Sequence, residues 1–128
     1  MFDLSNNSAE QEKDGVWASF AGGEFKIAHT NNIAFQRVFA KLQQPFRKKI
    51  ERGTLDPKIQ LDIMCQALGK TVLVDWKNVG EGDNEVEYSP EASHKALMAS
   101  SDLREYVQEF ATNLENYRDE DIEEQVKE

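Results

Sequence analysis

The chain has 128 residues and a mass of 14.6 kDa, which is material for one domain with its own core. Its 24 acidic side chains outnumber 15 basic ones, giving a net charge of −9, so nonspecific binding to nucleic acid or an anionic bilayer is disfavoured by repulsion. A single cysteine excludes a disulfide framework and points to a reducing cytoplasm, and no run reads as a signal peptide or a membrane span.

The charge is unevenly placed. Residues 1–64 carry nine bases and eight acids, whereas residues 65–128 carry six bases and sixteen acids. The expected organisation is a single domain: a flexible N-terminus over 1–13, a hairpin over 14–29, a helical body over 30–118 and an acidic tail over 119–128. A solvated tail favours solubility, and it can also steer a basic partner.

In chain order, Val16–Phe20 and Glu24–His29 flank Ala21-Gly22-Gly23, a hairpin signal, because glycine supplies the positive φ of a tight turn. From Asn32 the period becomes helical. Phe35, Val38, Phe39, Leu42, Phe46 and Ile50 form one stripe, with Thr30, Asn31 or Asn32 as the cap. Pro45 predicts a kink or restart, since it lacks the N–H of a helix interior, and Gly53 ends the segment. The opposite face holds Arg37, Lys41, Arg47, Lys48, Lys49 and Arg52, the one basic patch of the sequence.

Asp56-Pro57 reads as a cap followed by a first-turn proline. Leu61, Met64, Cys65, Leu68, Val72, Trp76 and Val79 then keep a 3/4 spacing. That spacing predicts one long helix, although Thr71–Val74 favours strand by propensity. Gly80–Asn84 reads as a loop without the ligand spacing of a calcium site. Ser89-Pro90-Glu91 starts another helix, and Ser101-Asp102 a further one, with Asp102 and Glu105 as a capping box. Leu103, Val107, Phe110, Leu114 and Tyr117 make its stripe. The predicted fold is therefore mainly α, a compact bundle of four or five helices with a small N-terminal β-hairpin.

The chemical inventory is thin. His29, His94 and Cys65 share no metal-ligand spacing, and a thiol on an apolar helical face behaves as a small hydrophobe. Gly22-Gly23 and Gly80-x-Gly82 lack the context and the lysine of a phosphate-binding loop. No enzymatic activity, cofactor or metal is expected. The apolar stripes are more informative, because surplus apolar surface marks a protein partner or self-association. Phe35, Val38, Phe39, Leu42, Phe46, Phe110, Leu114 and Tyr117 are the candidates for that role.

One further pattern spans most of the chain, from about Gly15 to Arg118. A Trp-bearing hairpin is followed by an Asn-rich helix start with Phe46-Arg47, then by Val72–Val79 with Asp75-Trp76 at its centre. After an acidic glycine loop come Glu87-Tyr88-Ser89-Pro90-Glu91, Leu103–Val107 and Glu115–Arg118. In this order the sequence resembles the tail assembly chaperones of long-tailed bacteriophages and prophages. Asp75, Trp76, Tyr88, Ser89 and Pro90 carry the most specific part of the resemblance, and they are packing and capping residues. The resemblance implies a helical, self-associating, non-enzymatic protein of the host cytoplasm, absent from the mature virion. It would bind the tape measure protein and keep it soluble until tail tube subunits, a further partner, polymerise around it. Two other readings are another acidic helical adaptor or structural protein of a phage, and an acidic DNA mimic. The near-neutral first half argues against the mimic.

Overall fold

The computed structural model describes residues 13–118. The expectations for residues 1–12 and for the acidic tail 119–128 lie outside them. Strands β1 (Val16–Phe20) and β2 (Gly23–Ile27) pair antiparallel, from Val16 opposite Ile27 to Phe20 opposite Gly23. The turn between them places both Ala21 (φ 51°) and Gly22 (φ 86°) in the left-handed region, the backbone twist that suits a two-residue hairpin. Phe25 and Ile27 face the core.

Beyond the hairpin the structure departs from the sequence reading. Helix α3 (Pro57–Thr71) does not continue to Val79. It stops, and β3 (Leu73–Lys77) joins β2 antiparallel, giving a sheet ordered β1-β2-β3. The Gly80–Asn84 stretch is no plain loop either: β4 (Gly80–Glu81) and β5 (Asn84–Glu85) form a second, two-stranded sheet. The protein is thus a mixed α/β fold and not a mainly-α bundle with one small hairpin.

The 3/4 spacing of Val72, Trp76 and Val79 is met without a helix, because Val72 caps α3 and the strand begins at Leu73. Residues Val72 and Val74 are β-branched, and β2 offers an open edge to pair with. A register shift finishes the job: Lys26 faces Asp75 and Ile27 faces Leu73, leaving Val74 as the extra residue of a bulge. Leu73 and Trp76, three apart, are therefore both buried.

The helices surround this sheet. Helix α1 (Ile33–Gln43) passes through a 3-10 turn (Gln44–Phe46) into the short α2 (Arg47–Glu51), the restart that Pro45 imposes. Asp56 Oδ1 accepts the Lys58 N–H at 2.9 Å to open α3. Ser89 Oγ accepts the Ala92 N–H at 3.0 Å to open α4 (Pro90–Ala99). Helix α5 (Ser101–Thr112) is capped by Ser100, whose Oγ accepts the Leu103 N–H at 3.1 Å, and not by the Asp102 box read from the sequence. Helix α3 lies at the centre, packed on α1, α4 and β3. A Cβ on Gly69 would come within 2.9 Å of the His94 backbone nitrogen, so only glycine lets α3 and α4 approach this closely. The core joins Phe25 and Ile27 of the sheet, Cys65 and Leu68 of α3, Val72, Leu73 and Trp76, Leu97 of α4, and Leu103, Val107 and Ala111 of α5.

Candidate protein-binding surface

Helices α1 and α2 form an arm, and its root is firmly tied. Asn32 is buried and does three things there. Its Oδ1 accepts the Phe35 N–H at 2.8 Å, capping α1. Its Nδ2 donates to the His29 carbonyl at 2.6 Å and to the Thr71 carbonyl at 3.4 Å. The first turn of α1 is thereby fastened to the last turn of α3. Nearby, Thr30 N–H donates to the Ala111 carbonyl at 3.0 Å, tying the same root to α5.

Outward from the root, burial is partial. Neither α1, nor the 3-10 turn, nor α2 contains a fully buried side chain. Of the candidate residues on the arm, Phe35, Val38, Phe39, Leu42 and Phe46 are half-buried. Phe35 and Phe39 stack on each other with centroids 5.6 Å apart. Ile33 is 64% exposed and Ile50 37%. Two hollows flank the bend at Pro45. One, about 150 Å³, lies where Phe39, Gln43 and Ile50 meet Leu55, Ile63 and Met64. The other, about 510 Å³, is made by the arm alone: Ala40, Lys41, Gln43, Gln44, Arg47, Ile50 and Glu51.

The arm is also where positive charge collects. Arg37, Lys41, Arg47, Lys48, Lys49 and Arg52 are all exposed, and Glu51 is the only acid between positions 37 and 52, so the segment carries +5. Among the described residues none of these cations forms an ion pair; elsewhere, His94 Nε2 and Asp62 Oδ1 are hydrogen-bonded at 2.7 Å. In contrast, Glu81, Asp83, Glu85, Glu87 and Glu91 surround β4 and β5 with no basic residue among positions 81–91.

The other three candidates separate. Phe110 is half-buried and Leu114 is 43% exposed, but Tyr117 is fully buried, edge-on to His29 (5.1 Å) and to Phe110 (5.9 Å). Tyr117 therefore closes the core and does not present a surface.

The residues of the chaperone-like pattern come together as a fastening. Asp75 Oδ1 accepts the Trp76 N–H at 2.8 Å. Trp76 lies edge-on to both Tyr88 and Phe25, and its Nε1–H donates to the Val86 carbonyl at 2.8 Å. The Tyr88 hydroxyl sits 2.7 Å from the Leu73 carbonyl and 3.1 Å from that of Gly69, and the Ser93 hydroxyl reaches the same Leu73 oxygen at 3.2 Å. Burial holds the Tyr88 phenol above its ordinary pKa of 10.0. With Ser89 and Pro90 starting α4, this set seals the segment from Val86 to Pro90 over β3.

Cys65 is buried, and burial pushes its thiol above the ordinary 9.0 against a weaker opposing pull from Arg104, the group that approaches the sulfur. His29 Nδ1 accepts the Asn31 N–H at 2.9 Å, while His94 belongs to the Asp62 pair. Among the described residues no three histidine, cysteine or carboxylate side chains gather as metal ligands would.

Sequence reasoning found the apolar stripe and the cations but missed the groove. Ala40 and Gln44 carry no chemical signal, and their place in the groove comes from the bend at Pro45. The triple role of Asn32 was legible only as a cap.

These features define a small mixed α/β domain that carries a cationic, apolar-seamed helical arm. The family model of the YdaY prophage protein matches residues 30–128, which takes in the arm, α3 and everything after it, and the chain belongs to that family. It is thus a prophage protein. No curated protein and no solved structure matches it.

Proposed function

We propose that this prophage protein is a non-catalytic tail assembly chaperone, which holds the tape measure protein soluble during tail morphogenesis. The observation that carries the reading is the arm: nineteen consecutive helical positions, Ile33–Glu51, without one fully buried side chain. A helical client with apolar stripes finds there a half-open apolar seam, while the net charge of −9 keeps loaded complexes apart in solution. Membership of a prophage family supports the setting. The same reading makes the protein self-associating, free of cofactors, resident in the host cytoplasm and absent from the finished virion.

Co-expression with the tape measure protein of the same prophage tests it. The client is expected in the soluble fraction with the wild-type chain and largely in the pellet with Ile33→Ser/Ile50→Ser, two exposed positions that leave the core intact. Equal solubility of the client with and without this protein would overturn the reading.

A further inference from the structure

We infer that the groove at the bend of the arm takes an acidic amphipathic helix, and that the client segment bound there has this character; the inference rests on the chaperone reading above. The groove, an open hollow of about 510 Å³, is lined by the apolar Ala40 and Ile50 and by Lys41, Arg47 and Glu51, two cations against one acid. An apolar pair one turn apart on the partner meets Ala40 and Ile50, and flanking carboxylates meet the two cations.

Charge decides the partner's sign. The arm carries +5 between positions 37 and 52, so the other residues sum to −14. An acidic helix is repelled by most of this protein and drawn to one place. A basic helix would instead be drawn to the acids at 81–91, away from the apolar groove. Oppositely charged surfaces of this kind steer encounter and fix orientation, and the apolar contact supplies the affinity.

The test uses overlapping fluorescent peptides that tile the tape measure protein, titrated with the full chain. Acidic peptides with apolar residues at i and i+4 are expected to bind. Lys41→Glu/Arg47→Glu, at exposed positions, should weaken them about tenfold, and raising salt from 0.05 to 0.5 M should do likewise. Circular dichroism checks that the double variant keeps its helices. Capture of the full-length client that is indifferent to K41E/R47E, or preference for basic or uncharged peptides, would overturn this inference and leave the chaperone reading standing. If K41E/R47E changes only the oligomeric state by light scattering, the groove is a contact between copies and the inference falls. Failure to bind both peptides and full-length client would remove the chaperone reading itself.

Discussion

Trp76 shows how much one side chain does here. It is buried, edge-on to Phe25 on the neighbouring strand and to Tyr88 on the covering segment, and its indole N–H is spent on the Val86 carbonyl. Removing the ring opens a large cavity between sheet and cover and leaves a carbonyl without its donor. Trp76→Ala should therefore cost about 3–5 kcal/mol in urea unfolding. A change below about 1 kcal/mol would mean that the 86–90 segment is not anchored through this ring. Tyr88 and Ser93 converge on one oxygen, that of Leu73, so the first carbonyl of β3 is taken by side chains.

At the scale of elements, α1 packs along α3 and is hydrogen-bonded to its neighbours at its root. Asn32→Ala removes the cap and both ties to neighbouring carbonyls, and should cost about 1–2 kcal/mol. Hydrogen exchange should quicken in the amides of α1 and little elsewhere; uniform quickening would show that the arm opens only with the whole fold. Much of this was legible in the sequence. The hairpin, the break at Pro45 and the starts at Pro57 and Pro90 all followed from turn and cap chemistry, which acts within a few residues. β3 did not, because its partner β2 is distant in sequence and the bulge at Val74 buries Leu73 and Trp76 at a helix-like spacing of three. The candidate surface was half legible for the same reason. Its apolar stripe and cations are periodic, whereas the groove depends on the angle of a bend, and Tyr117 is taken into the interior by contacts with His29.

For the molecule as a whole, three weak acids, one buried and two half-buried, share a direction. Cys65, Tyr88 and Tyr106 each hold their proton more tightly in the folded chain, with burial the first cause in every case. Above the ordinary values of 9.0 and 10.0 the unfolded chain sheds protons that the folded chain keeps. Stability is then fully present below pH 9 and falls as pH rises towards the folded values. Urea midpoints measured from pH 7 to 11 should stay level and then drop, and in Cys65→Ala the drop should begin later. A midpoint that held level to pH 11 would contradict the burial of these groups.

The bulged pairing of β2 with β3 has a consequence for the order of assembly. Ile27 and Leu73 stand 46 positions apart, so the third strand can dock only after a long stretch of chain has been closed into a loop. Closure of that length costs about 3 kcal/mol of chain entropy before the pairing returns anything. The β1–β2 hairpin and the α4–α5 pair are local and form without it. Helix α3 runs from within that loop to its end, and the Ala28 N–H meets the Val72 carbonyl at 2.7 Å where the loop is drawn shut. The arm lies wholly inside the loop. The root of the arm, where Asn32 reaches the Thr71 carbonyl, is therefore fastened in the same closing event, and the side chains of α4 and α5 complete the core after it.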